Sequence, residues 1–189
     1  PRNSVAVFFA NPVRNRSNDV DYAYHQDPDF LYLTGYREPN AVLLIFKEKQ
    51  TASNGQQYDE IIFVQPRNEF RELWDGRRLG PEGVKQQLGF AQVFDNLEFQ
   101  RYNLDFSKFD QVLFFEFHND VRDNGQDPAD LFDLIQQFKI KAGYPSPDNT
   151  VVAREPRKNN LNTRDLGPIM DKLRGIKTDE ELKLLRKAV

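Results

Sequence analysis

Cysteine is absent from the 189-residue chain, and histidine occurs only twice, at His25 and His118. The first absence excludes disulfides, thiolate metal sites and a cysteine nucleophile, and it fits a reducing compartment. The second narrows the chemistry further, because imidazole is the usual proton carrier and metal ligand near neutral pH. No HExxH pair is present, and two isolated histidines do not make a His-rich zinc site. The glycine-rich phosphate cradles GxGxxG and GxxxxGK(S/T) are missing as well. Ser4, Ser17, Ser53, Ser107 and Ser146 lie in no nucleophile-elbow context. No run of about 18 apolar residues predicts a membrane span, and the opening PRNSVAVFFANP lacks the basic-then-apolar pattern of a signal peptide. Lysine and arginine total 26 against 29 acidic residues, a net charge of -3. That balance gives no basis for general nucleic-acid or membrane binding.

What is present alternates between strand and helix patterns. SVAVFF (Ser4 to Phe9) is a short apolar run rich in β-branched and aromatic residues, stopped by Asn11 and Pro12, which predicts a buried strand. Asp27 followed by Pro28 predicts a helix start, and Gly35 its C-cap, for a helix of about two turns. AVLLIFKE and EIIFVQP read as two strands, and the intervening Asn54-Gly55 as their hairpin turn. NEFRELW and PEGVKQQLG follow as helices, AQVFD as a short strand, and LEFQRYNLDFSKF as a helix carrying Leu97, Arg101, Leu104 and Lys108 along one face. DQVLFFEF predicts a central strand. Asp127-Pro128 then opens a helix whose Leu131, Leu134, Ile135 and Phe138 form one buried stripe, with Gly143 at its end. A proline-rich turn from Tyr144 to Pro147 leads through TVVARE to an asparagine-rich loop, and a helix over 164–173 and a final helix complete the pattern. Thr178 and Glu181 make the capping box of that last helix. The expected class is α/β, a mixed β-sheet flanked by helices.

Three stretches hold candidate chemistry. Asp19, Asp21, Asp27 and Asp29 lie close in sequence, but without the alternating ligands and closing Glu of a Ca²⁺ loop they read as a helix cap and loop carboxylates. His25 precedes a cap and His118 ends a strand, and neither has a recognisable catalytic partner. WDGRRLG holds the only Trp, Trp74, beside Arg77 and Arg78. An Arg pair there could clamp a carboxylate in bidentate fashion, or form a tight turn paired with Asp75, Glu72 or Glu82. In DPDFLYLTGY, Phe30, Tyr32, Leu33 and Tyr36 cannot all face one core from a short helix. At least one ring is expected at the surface or an interface, unless all pack into a small aromatic core.

Taken together, RSNDVDYAYHQDPDFLYLTGYREPNAVLLIF, LWDGRRLGPEGVKQQLGF and LRGIKTDEELKLLRKA resemble the amino-terminal domain of aminopeptidase P, within the creatinase/prolidase group. The pattern Asp19-x-x-Tyr22-x-x-x-Gln26-Asp27-x-Asp29-Phe30-x-Tyr32-Leu33-Thr34-Gly35 carries most of the likeness. The resemblance implies residues 1–173 as that domain and 174–189 as the linker and first helix of a pita-bread catalytic domain. That following domain would hold two divalent metals, Mn²⁺ in most members, through two Asp, one His and two Glu. This chain would then hold no cofactor and be inactive alone, while the intact enzyme removes the residue preceding proline from a peptide's amino terminus. Asp19 and Trp74 match residues that wall the substrate cleft, and Phe30, Tyr32 and Tyr36 become interface candidates. Its partners would be its own catalytic domain, further copies in a dimer or tetramer, and a peptide with proline at position two, in the cytoplasm. The alternatives are a metal-free peptide-binding module, dipeptidase or creatinase specificity, and an unrelated small-molecule-binding α/β domain, which would show as an apolar pocket of its own.

Overall fold

The computed structural model describes residues 3–52, 54–144 and 159–188. Its centre is a six-stranded sheet built from β1 (Ser4–Phe9), β4 (Val42–Thr51), β5 (Gln57–Val64), β6 (Val93–Asp95), β7 (Gln111–Phe114) and β8 (Leu161–Asn162), in the order β6-β5-β4-β1-β7-β8. β4 runs antiparallel to both β1 and β5, whereas β7 is parallel to β1, β6 to β5 and β8 to β7. Five strands therefore point the same way, and their carboxyl ends share one edge.

Both faces of the sheet are covered. Along each central strand, side chains alternate between two cores, as the period-2 pleat requires. Val5, Val7, Val42, Leu44, Ile61 and Phe63 face one side, where they meet Phe99, Phe106 and helix α4 (Leu131–Ala142) through Leu134 and Phe138. Phe8, Leu43, Ile62, Val64 and Leu113 face the other. There they meet α1 (Pro28–Thr34), α3 (Gly80–Leu88) and α5 (Leu166–Gly175) through Phe30, Val84, Leu166 and Met170. Phe138 packs edge-on against Phe9, Phe106, Phe114 and Phe117, with centroids 5.1–5.9 Å apart. Edge-to-face contact aligns the positive ring edge with a negative face, adding to the burial of each ring.

The local signals act as expected at several ends. The Asp27 carboxylate accepts from the Asp29 and Phe30 amides at 3.0 and 2.9 Å, and Gly35 closes α1 at a φ of 67° that a side chain would disfavour. Gly55 turns the β4–β5 hairpin, and Thr178 and Glu181 exchange both bonds of a capping box ahead of α6 (Asp179–Ala188). A short hairpin, β2 (Asn15–Ser17) with β3 (Val20–Asp21), and α2 (Glu69–Asp75) complete the elements used below.

Two expectations are corrected. The stretch from Leu97 to Phe109 is no helix: it makes two single 3₁₀ turns, each opened by its own aspartate cap, Asp95 and Asp105. The cap of α4 is Asp130, not Asp127, because Asp130 bonds both the Asp133 and Asn124 amides while Asp127 lies in the turn before it. β8 was not anticipated. The TVVARE stretch falls outside the described residues. No described helix is long and apolar enough to cross a membrane.

Truncating Phe138 removes a ring that four other rings touch. Phe138→Ala is expected to cost about 3–5 kcal/mol in urea unfolding, whereas Asp27→Ala should cost about 1 kcal/mol through the lost cap. Equal losses for the two variants would show that the α4 face is not the principal core.

Candidate functional site

Gln26 and Glu38 organise the carboxyl edge of the sheet. The Gln26 Oε1 accepts from the Asn11 amide, the Asp27 amide and the Tyr24 hydroxyl, each at 2.9 Å, while its Nε2 donates to the Glu38 carbonyl at 2.9 Å. The Glu38 carboxylate accepts from the Tyr36 hydroxyl at 2.9 Å, the Leu79 amide at 2.8 Å and Gln65 Nε2 at 3.4 Å. These two side chains join the end of β1, the start and exit of α1, the end of β5 and the entry to α3. Burial drives the Tyr36 hydroxyl pKa well above its ordinary value, and the adjoining Glu38 charge pushes in the same direction. The Tyr24 hydroxyl is raised too, chiefly by burial. Sequence reasoning passed over both hub residues. The signal available was the Gln26-Asp27 pair inside the most specific motif, and Glu38 two residues after a buried tyrosine.

Beside this hub lies a groove of about 700 Å³, whose walls include Tyr24, Glu38, Gln65, Arg71 and Arg78. The two arginines of WDGRRLG are placed differently. Arg78 is buried, its Nη2 donates to Asp75 Oδ2 at 3.2 Å, and its Nε has no partner among the described residues. Arg77 is exposed on the groove wall. Arg67 adds a two-pronged pair to Glu72 at the start of this segment, which holds the Glu72 carboxyl below its usual range.

Next to the groove, α2 turns its apolar residues outward. Phe70, Leu73 and Trp74 are 72, 79 and 80% exposed, they sit at i, i+3 and i+4 so that they form one stripe, and α2 buries no residue at all. Asp19 is exposed in the turn of the β2–β3 hairpin.

Phe30 and Tyr36 are not at an interface: both are fully buried within the chain, tilted together with centroids 6.5 Å apart. Their side chains fall on the inward side of α1 and its exit, where the second core needs large rings. Tyr32 points the other way, 38% exposed, and lines an open hollow of about 710 Å³ with Arg174, Glu181, Leu184 and Leu185 of the last two helices. Glu181 hydrogen-bonds the Tyr32 hydroxyl, and Arg174 bonds Asp29 at 2.6 Å. Both contacts tie α1 to the end of the chain.

Among the described residues, the carboxylates do not assemble the dinuclear centre that the resemblance assigns to the following domain. Among the described residues one acidic cluster has ligand atoms within reach of a common ion: Asp123, Asp130 and Asp133. Asp130 spends its oxygens on the Asp133 and Asn124 amides, and Asp133 accepts from Ala129, so two of the three serve as local caps. No histidine or glutamate joins them. This set does not fit a dinuclear site of two Asp, one His and two Glu.

The fold and the edge thus define a mixed-sheet α/β domain with a polar groove and a bare aromatic helix face, without a catalytic constellation among its described residues. The chain matches the family model described as aminopeptidase P, N-terminal domain, over residues 1–113, and it belongs to that family. It is 31% identical to an Xaa-Pro aminopeptidase of Haemophilus influenzae over 98% of this chain and 36% of the relative. It is 40% identical to human Xaa-Pro aminopeptidase 3 over 50% of this chain and 18% of that protein. Among solved structures, aminopeptidase P from E. coli with the inhibitor Pro-Leu is similar with a TM-score of 0.68 and 25% identity, over 99% of this chain and 38% of that one. The chain therefore spans little more than a third of the full-length relatives that match it end to end.

Removing the Glu38 carboxylate would strand a buried hydroxyl and a backbone amide. Glu38→Ala is expected to lower stability by about 2–4 kcal/mol, and Tyr36→Phe by about 1 kcal/mol, read from urea midpoints at unchanged m-value. The raised tyrosine pKa also fixes a sign. A hydroxyl whose folded pKa exceeds its unfolded value gives stability that is complete below about pH 10 and is lost as pH rises above it. Urea midpoints measured from pH 8 to 11 should fall at the alkaline end, and fall less in Tyr36→Phe. An identical alkaline slope in the two proteins would remove Tyr36 from the account.

Proposed function

We propose that this chain is the amino-terminal domain of an Xaa-Pro aminopeptidase and works by walling the substrate cleft rather than by bond cleavage. In this reading residues 1–173 are the domain itself, and 174–189 lead into the catalytic domain. That following domain would carry the two divalent metals, Mn²⁺ by resemblance, and would hydrolyse the bond before a proline at position two. Trp74 and Asp19 reach the cleft, in the same subunit or a neighbouring one of a dimer or tetramer, and the protein works in the cytoplasm.

The observation that carries the reading is the outward stripe Phe70, Leu73 and Trp74. A soluble domain gains nothing from three adjacent exposed apolar side chains, and such patches mark contact surfaces. An aromatic stripe suits an interface core, where Trp and Phe are enriched. Tyr32, facing α6 across Glu181, supplies a second join at the boundary proposed near residue 174. Arg77 and Arg78 flank the stripe, Arg78 as the rigid base of the turn and Arg77 as the cation free to meet a carboxylate.

Hydrolysis of an Xaa-Pro peptide with added Mn²⁺ tests the proposal, using this chain and a chain extended through the following domain. The expected result is activity in the extended chain alone. There, Trp74→Ala should lower kcat/KM by roughly tenfold, about 1.4 kcal/mol, while moving the unfolding midpoint by less than about 0.5 kcal/mol. Asp19→Asn should act in the same direction. Activity in the short chain would place catalytic residues within it and overturn the reading. An inactive extended chain that still binds the peptide would make this a metal-free binding module.

A further inference from the structure

The order of the sheet contains a reversal. From β1 the chain moves to one side, through β4, β5 and β6, and then returns to the other side of β1 to add β7 and β8. β1 and β7 are parallel neighbours, but the helices that follow them part company: α1 packs on one face through Phe30, and α4 on the other through Leu134 and Phe138. A crevice must open at the carboxyl ends of two parallel strands whose connections leave in opposite directions. In open α/β sheets that crevice is where ligands bind.

A cavity of about 400 Å³ occupies this position, within the 300–1,000 Å³ typical of small-molecule sites. Its apolar lining comes from Phe8, Phe115, Phe117, Leu131 and Ile135. Leu131 and Ile135 are buried side chains of α4 that belong to neither core cluster, so they face the crevice and not the sheet. The polar lining comes from three carboxylates, Asp27, Asp29 and Glu116, with His118, Asn11 and Thr163, and no lysine or arginine contributes.

The charges are not equivalent. Asp27 is committed to two backbone amides of α1, and Asp29 to Arg174 at 2.6 Å. Glu116 is exposed and has no ion-pair partner among the described residues. Lys139 of α4 is held over the Phe117 and Tyr144 rings at 4.9 and 5.8 Å. An apolar chamber with one uncommitted carboxylate at its rim suits an apolar body that carries a single positive charge.

We propose that this crevice is a binding site for a small amphipathic cation, a primary ammonium on an aromatic or branched aliphatic body. The body sits among Phe115, Phe117, Leu131 and Ile135, and the ammonium meets Glu116 at the rim. The site lies within this chain and is independent of the peptidase reading, so either can fail without the other.

The test is binding of phenethylamine to the 189-residue chain, followed by amide chemical shifts, beside two probes of like size, neutral 2-phenylethanol and anionic 3-phenylpropionate. The expected result is saturable shifts around residues 115–118 and 131–135 with the amine, weaker shifts with the alcohol and none with the acid. Glu116→Gln should weaken the amine by about fivefold, as an exposed ion pair allows, and leave the alcohol unchanged. Ile135→Trp fills the chamber and should abolish both. Because a larger buried side chain can disturb folding, Val121→Trp at the half-buried rim provides a second block. Equal affinity for amine and alcohol would overturn the assignment of the charge. Absence of saturation at millimolar amine, or binding that survives both tryptophan variants, would overturn the site.

Discussion

A sheet covered on both faces governs this molecule. In the buried stretches of β1, β4, β5 and β7, residues 5–8, 42–46, 61–64 and 112–114, successive residues are apolar, since alternate side chains enter one of two separate cores. Every polar requirement is thereby driven to the strand ends. The backbone groups after β1, before β4 and at the entry to α3 need partners there, and Gln26 and Glu38 supply them through side chains reaching across 12 to 41 positions of sequence. Because five strands point the same way, these ends gather on one edge. The groove beside Arg78, the β2–β3 hairpin bearing Asp19 and the crevice between β1 and β7 all follow from that single arrangement.

The parts of the fold legible in the sequence were those decided locally. The strands β1, β4, β5 and β7 announced themselves as β-branched and aromatic runs, and the ends of α1 as an aspartate before proline and a glycine at positive φ. The failures came where two local options were nearly equal and distant contacts chose between them. Asp127 and Asp130 offer the same capping chemistry, and only the Asn124 amide, itself placed by the loop, selects Asp130. Leu97 to Phe109 has helix-like spacing, yet Phe99, Phe106 and Phe109 all enter one core, which two short turns allow and a continuous helix does not.

The aromatic motif divides along the same line. A helix of two turns can put Phe30 into the core and Tyr32 away from it, and the αL turn at Gly35 then brings Tyr36 back beneath Phe30. Burying Tyr36 demanded an acceptor for its hydroxyl, and Glu38 fills that need while also closing the start of α3. A motif that reads as one surface is in fact a core pair, a hydrogen-bond hub and a single outward ring.

That division bears on how α2 is understood. The helix is fastened locally by the Asn68 cap and by Arg67 with Glu72, and Arg71 Nη2 ties it to the rest of the domain by donating to the Gln126 carbonyl at 3.0 Å. Its apolar residues contribute nothing to either core. Folding therefore sets no requirement for Phe70, Leu73 or Trp74, and their exposure carries a standing tendency toward association. Under the proposed reading that tendency is directed: polar fasteners fix the helix, so the stripe is presented in one orientation before any partner arrives. A surface ordered in advance loses less conformational freedom on contact than one that must fold onto its partner, which suits a wall that has to leave a peptide-sized cleft beside it open.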